Sequence, residues 1–546
     1  MGHIVTLKEV LHRAEECILQ EILGSQTIRI LTTLDSKYRR STEMKSLIFK
    51  LYKDEEILLN KNLRNIVIDL LKVNEVQLLG NILGIKFECS NDLYKKLKIT
   101  NFKRGSSNEE VLFNFFNMYP PKQQQDSNEK EEENKNLIAN GHYSLFTHQR
   151  LATLKVKKLL SERPYRALLH MPTGAGKTRT AMNIICDYLR NNEKFLIVWL
   201  AATEELCQQA AEEFEKAWSY LGDRELKIHK FWGSRELNIE DIDEGIIIAG
   251  LPKIVSVTTR KNGVQFITKL ANKCSLIVID EAHQAIARTY KLVLDLLFYG
   301  SKRGKLLGLS ATPGRTWDDI EADEQLSKFF AKRKVKLEVE GYKSPVDYLV
   351  EQGYLAKANF VSLINEKSSM SEKDAEQIQH SKEITLEVLK KLGKNEKRNL
   401  KIVQKTEELT KEHNRIILFA PSVECSNMLS KILSARGYHS YSLTGETSNS
   451  IRVNIINDFK NDEPKPKILC NYGVLTTGFD APKTSAAIIG RPTLSLVLYS
   501  QMVGRAIRGI KAGGNETATI VTIIDPELPG FGDISDSFNN WEDVWG

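Results

Sequence analysis

Nothing in this 546-residue chain groups its sulfur. The seven cysteines (Cys17, Cys89, Cys186, Cys207, Cys274, Cys425 and Cys470) are scattered, with no C-x-x-C pair. That spacing argues against a zinc ribbon or an iron–sulfur cluster, and the thiols read as reduced and structural. Long apolar runs are missing too: none approaches the roughly 20 residues that a membrane span needs. The opening residues MGHIVTLKEVLHRAEE lack the apolar core of a secretory signal, so the expected compartment is the cytoplasm and no membrane is expected as partner. Gly2 and Thr6 match the loose myristoylation spacing, but they run directly into an amphipathic helical pattern. A strong charge of one sign is also absent. Net charge is +7, mildly basic, which is compatible with a polyanion partner and too small to establish one. With 41% hydrophobic and 27% charged residues, the chain is not disordered throughout.

The length predicts three or four domains, at roughly 100–200 residues each. Residues 1–118 carry leucines and isoleucines at three- and four-residue spacings, as in KNLRNIVIDLLKVNEVQLLGNILGI, and predict a helical accessory domain without a catalytic motif. PPKQQQDSNEKEEENKN (Pro120 to Asn136) predicts a flexible polar linker over 119–140. From Tyr143 the texture becomes short apolar strands alternating with helical patterns: FLIVWLAA, GIIIAG, SLIVID and LLGLSAT. A second series begins near Arg415 with RIILFAP, HSYSLTG, KILCNYGV, SAAIIG and ATIVTIID. Two such series imply an α/β fold of two doubly wound parallel sheets, over 141–340 and 341–525. The second carries a polar helical insertion at about 366–413, and a tail over 526–546 is expected to pack onto the core.

Met171 to Thr178, MPTGAGKT, follows the strand-like RALLH and precedes a helical pattern, the setting expected of a phosphate-binding loop. Thr173, Gly174, Ala175 and Gly176 would let backbone N–H groups close on phosphate oxygens. Lys177 would reach the β- and γ-phosphates, and the Thr178 hydroxyl would ligate Mg²⁺. Met171 stands where the strict motif has glycine, and a ligand-free glycine-rich turn would read similarly. About a hundred residues on, SLIVIDEAHQAIA drives an apolar strand into Asp280 and Glu281. Unpartnered buried charge is costly, but at the carboxyl end of a strand beside a phosphate loop these acids have partners. Asp280 would hold Mg²⁺ through water, and Glu281 would polarise the attacking water. Read alone, DEAH also fits two acids capping a helix start.

MPTGAGKT with VIDEAH, then GLSATPGR (Gly308 to Arg315), VLTTGFDAP (Val474 to Pro482) and SQMVGRAIR (Ser500 to Arg508), resembles the superfamily 2 DEAD/DEAH-box helicases and translocases. Within them, RPTLSLVLYSQMVGRAIR is similar to the branch holding the motor subunits of type I and III restriction enzymes. The resemblance covers about Tyr143 to Asp525 and leaves residues 1–142 outside. It implies two tandem RecA-like domains and an ATP- and Mg²⁺-dependent nucleic-acid motor. It makes Gln149 of LFTHQR the adenine reader, and places Gly478 and Asp480 near the nucleotide from the second domain. Ser310, Thr312, His283 and Gln501 would couple hydrolysis to domain movement. Arg505 and Arg508 would be arginine fingers, their three-residue spacing predicting one helical face.

Nucleic-acid contacts are implied at Thr203 of LAATEELCQQA and Thr444 of SLTGETS, where plain helix capping is an equal alternative. The run KKLGKNEKRNLK (Lys390 to Lys401) reads as a solvated basic helix or a phosphate contact. DNA is the expected track, with RNA the alternative. By analogy the motor serves mobile-DNA (phage) defence, restriction or repair, or else delivers an N-terminal sensing module to an operon-encoded partner nuclease.

Overall fold

The computed structural model describes residues 5–87, 89–102, 106–118, 143–172, 174–192, 194–260, 263–302, 304–311, 320–337, 339, 341–342, 344–365, 378, 384–475, 481–493, 495–525 and 528. The chain divides into two compact units, residues 1–137 with 427–440, and residues 138–426 with 441–546.

The first unit carries nine α-helices between Leu7 and Phe115 among the described residues. Each buries a narrow apolar stripe, as the three- and four-residue spacing predicts. In Lys61–Leu70 that stripe includes Val67 and Ile68, and the Asn60 side chain caps the helix by accepting from the Asn62 and Leu63 N–H groups. Arg13 grips both carboxylate oxygens of Glu75 at 2.6 and 2.8 Å, which ties the end of the Leu7–His12 helix to the Val73–Ile82 helix.

The second unit holds two sheets. The first contains β1 (Arg166–His170), β2 (Leu196–Ala201), β3 (Ile228–Phe231), β4 (Gly245–Gly250), β5 (Cys274–Ile279), β6 (Lys305–Ser310) and β7 (Lys334–Lys336), in the order β3-β4-β2-β5-β6-β1-β7. The second contains β8 (Lys357–Ile364), β9 (Arg415–Phe419), β10 (His439–Leu443), β11 (Lys467–Asn471), β12 (Ala486–Ile489) and β13 (Thr517–Ile524), in the order β10-β11-β9-β12-β13-β8. Every pair whose register is described runs parallel. The fold is two doubly wound parallel-sheet domains in tandem, the RecA-like arrangement the motifs imply. β2, β4 and β5 are buried along their whole length, which is why they read as unbroken apolar runs. Three strands outside the sequence prediction, β3, β7 and β8, all lie at sheet edges.

The basic run at 390–401 falls on the helices Leu386–Gly393 and Glu396–Leu409, and one member breaks the solvated reading. Arg398 is fully buried, with Nη2 donating to Asp525 Oδ2 at 3.0 Å and to the Gly490 carbonyl at 2.6 Å. The predicted 119–140 linker lies outside the described residues, as do all of the 526–546 tail except residue 528 and most of 366–383.

Candidate functional site

β1 ends at His170, and the chain then turns through the phosphate loop into the helix Lys177–Arg190. Gly174 and Gly176 both hold φ +86°, a left-handed backbone that side chains rarely adopt. The side chains above are close as well: a Cβ at Gly176 would lie 2.1 Å from Gln149 Nε2 and one at Gly174 2.9 Å from Leu355 Cδ2, so each neighbour would have to shift. The helix that follows anchors on Ala181, Ile184, Ile185 and Leu189, and directs its amino end at the loop. The Ala175 N–H closes the turn by donating to the Pro172 carbonyl at 3.0 Å, and the loop sits at the amino end of the helix, the setting in which backbone donors meet phosphate.

Gln149 is buried against that loop. Its Nε2 donates to the Ala175 carbonyl at 3.0 Å, and its Oε1 accepts from Phe146 N–H at 3.1 Å, capping the helix Thr147–Ser161. His148 Nε2 also contacts the Ala175 carbonyl, at 3.3 Å.

Register pairing brings the acids to the same place. β5 runs beside β6 and β6 beside β1, so Asp280 and Glu281 emerge at the carboxyl ends next to the phosphate loop. Neither behaves as a helix cap: Glu281 precedes the short 3-10 helix Ala282–Ile286 without capping it, and Asp280 Oδ1 accepts from the adjacent Glu281 N–H at 3.0 Å. Glu281 itself sits at φ +52°, costly for a residue with a side chain, and so its orientation is imposed by its surroundings. Its carboxylate lies 3.9 Å from Lys177 Nζ and 3.5 Å from His283 Nδ1.

The two acids differ in charge state. Burial pushes Asp280 up to about 6, against the pull of Lys177. Burial also acts to raise Glu281, but Lys177, His283 and Arg505, with a hydrogen bond from Gln501, hold it below the usual carboxylate range. The Asp280 carboxyl and the Thr178 hydroxyl are hard-oxygen donors of the kind a divalent cation takes, and a cation would relieve the burial of the acid. Thr178 and Asp280, which line one cavity, would hold Mg²⁺, with triphosphate oxygens completing its shell.

That cavity, about 400 Å³, is lined from both sheets' domains. From the first come Gln149, Gly174 to Thr178, Asp280 and Glu281; from the second come Gln501, Arg505, Arg508 and Lys511. Burial lowers both arginines to about 10, and Glu281 opposes that at Arg505. The expectation of a shared helical face is corrected here. The helix Leu496–Val503 ends at Gly504, Arg505 stands in the following turn, and Arg508 pairs with Leu355 in an antiparallel bridge. They converge on the cavity through chain reversal, not through helical spacing.

Sequence reasoning did not find Phe146, Tyr354 or Lys511. Phe146 and Tyr354 have ring centroids 4.5 Å apart at the cavity edge, and Lys511 Nζ lies 4.8 Å from the Tyr354 centroid. Aromatics flanking a motif carry no signal until the chain returns to pair with them.

Ser310 ends β6 fully buried in register with His170, and its carbonyl accepts from Met171 N–H at 3.1 Å. Ser310 thus touches the start of the phosphate loop through backbone. Thr203 caps the helix Glu204–Leu221, accepting from Leu206 N–H at 3.3 Å, while Thr444 Oγ1 accepts from Glu446 N–H at 3.3 Å. Each follows the carboxyl end of a strand, β2 and β10. Thr173, Thr312, Gly478 and Asp480 lie outside the described residues.

Two family models match the chain. One, the res subunit of type III restriction enzymes, covers residues 142–315; the other, the helicase conserved C-terminal domain, covers 397–509. A Saccharomyces cerevisiae protein designated ATP-dependent helicase IRC3 is 27% identical over 62% of this chain and 45% of its own length. A 51.5 kDa protein of a Lactococcus phage is 26% identical over 56% of this chain and 61% of its own. The chain therefore spans about half the length of the curated relatives it matches. Among solved structures, a fragment designated as the HsdR subunit of a type I restriction enzyme from Vibrio vulnificus superposes with TM-score 0.50 at 18% identity. It covers 73% of this chain and 66% of that one. The DUF1998 helicase MrfA bound to DNA and AMPPNP gives TM-score 0.50 at 16% identity, over 72% of this chain and 50% of that one. Both are likenesses of fold.

Proposed function

The chain is a superfamily 2 helicase resembling the type III restriction motor branch, and from that premise we propose that it hydrolyses ATP to move along nucleic acid, with DNA as the track. The observation that carries the reading is the shared cavity: Lys177 and both acids on one wall, Arg505 and Arg508 on the other.

Lys177 and the phosphate-loop N–H groups bind the triphosphate and orient its γ-phosphate. Thr178 and Asp280 would hold Mg²⁺, which neutralises phosphate charge when bound. Glu281, kept ionised by its cationic neighbours, accepts a proton from the attacking water. Arg505 and Arg508 stabilise charge developing on the transferred phosphoryl group. Because the two walls belong to different domains, the triphosphate holds the domains together, and its cleavage lets them part. Gln501, bonded to Glu281, and Ser310, bonded to the start of the phosphate loop, are placed to carry that change. Backbone donors beside Thr203 and Thr444 would grip phosphates of the track without reading its sequence.

The restriction-subunit family match favours DNA and a setting in mobile-DNA defence with a partner nuclease. ATPase rates across single-stranded, duplex and forked DNA and matched RNA test the proposal. DNA should stimulate hydrolysis, and Lys177→Ala should abolish it. Stimulation by RNA alone would transfer the track assignment, and no stimulation by either would refute the motor reading.

A further inference from the structure

A segment that belongs to neither sheet touches both walls of the cavity. Residues 353–356 lie between the helix Pro345–Glu351 and β8, on the chain's path from the first sheet to the second. They pair with the arginine-bearing segment through three backbone bonds. Ala356 N–H donates to Ile507 carbonyl at 2.9 Å, Gly509 N–H to Tyr354 carbonyl at 3.0 Å, and Lys511 N–H to Gly353 carbonyl at 2.9 Å. Arg508 lies opposite Leu355 at the centre of this bridge.

The same residues lean on the phosphate loop. Leu355 Cδ2 reaches to 2.9 Å from where a Gly174 Cβ would be, so the leucine covers the loop backbone directly. Tyr354 packs on Phe146 at 4.5 Å and on His148 at 5.0 Å between centroids, and His148 contacts the Ala175 carbonyl. Main-chain bonds fix one side of residues 353–356 to the arginines, and close packing fixes the other side to the phosphate cradle.

We propose that Gly353–Ala356 is a tether that sets the reach of Arg508 over the phosphate loop, with Tyr354, Leu355 and Gly509 as positioning residues. Nucleotide alone then does not have to align the finger; the bridge holds it in register as the domains close. This rests on the ATPase reading above. The register is enforced at Gly509, where an added Cβ would fall 2.3 Å from the Gly353 carbonyl oxygen and 2.6 Å from the Tyr354 carbonyl carbon. Both are backbone atoms that cannot swing aside, and Gly509 itself does not line the cavity.

Gly509→Ala is therefore the test, combined with Arg508→Ala in a double-mutant cycle. Gly509→Ala should lower kcat by about 10²-fold while KM for ATP stays within about threefold, because the finger is displaced and the phosphate cradle is not. Arg508→Ala should cost about 10³-fold or more in the parent but under about tenfold beside Gly509→Ala, since a displaced finger has little left to lose. A purely structural role would leave those two costs equal. Tyr354→Ala, which removes the packed side of the tether, should give the same loss of additivity and serves if Gly509→Ala does not fold. Thermal unfolding of each variant establishes folding. Equal costs of Arg508→Ala in all folded backgrounds, with a parent that hydrolyses ATP, would overturn the tether alone. A parent with no ATPase would overturn the functional reading and the tether with it.

Discussion

Glu281→Gln is the sharpest test of the chemistry, because it keeps size and removes one charge. The parent carboxylate is buried, 3.9 Å from Lys177 Nζ and 3.5 Å from His283 Nδ1, and it receives a hydrogen bond from Gln501. The amide retains an oxygen for Gln501 but cannot take a proton from water. Loss of a positioned general base removes about 10²–10⁴ in rate. At about 1.36 kcal/mol per decade, that raises the barrier by roughly 3–5 kcal/mol. Binding should move the other way. Removing a negative charge from a cavity built for phosphates relieves repulsion, so the ATP dissociation constant should hold or fall. Single-turnover hydrolysis and titration with a fluorescent ATP analogue measure the two separately. A variant that binds ATP and hydrolyses it at the parent rate would show that Glu281 does not activate the water. A variant that fails to bind would show that the charge belongs to the binding site.

Because burial lifts Asp280 to about 6, its ionised form is available to a cation above that pH and is lost as pH falls through it. Mg²⁺-dependent kcat/KM should therefore drop on the acid side near pH 6; a profile flat to pH 5 would contradict the metal role. Gly176→Ala forces a side chain into φ +86° and against Gln149 Nε2, a strain of about 1–2 kcal/mol that should weaken ATP binding roughly tenfold. Arg398→Met leaves Asp525 buried without its charge partner and should cost about 3–5 kcal/mol by denaturant unfolding. Arg398→Met with Asp525→Leu should recover most of it, and an equal loss in the double variant would show that the pair is not the cause.

Much of the site was legible because local backbone demands are written in residue type. Gly174 and Gly176 hold the positive φ that a phosphate loop requires, and Asp280 and Glu281 end an apolar strand where parallel sheets bind ligands. The strands that escaped detection share a position in the sheets. β3, β7 and β8 are edge strands, with fewer neighbours to bury them, so they lose the unbroken apolar run that betrayed β2, β4 and β5. Arg398 read as one more surface cation, since nothing in a basic helix predicts a carboxylate 127 residues later.

The sequence by itself determined the two parallel sheets, the phosphate loop and the identity of the acids, because each depends on backbone geometry within a few neighbouring residues. Only tertiary structure decided how the second wall is built. Arg505 and Arg508 reach the cavity from a turn and a bridge, not a helical face, and Tyr354, Leu355 and Lys511 join them through contacts between segments about 150 residues apart in the chain. Periodicity records which face of an element is buried; it does not record which distant segment will cover it.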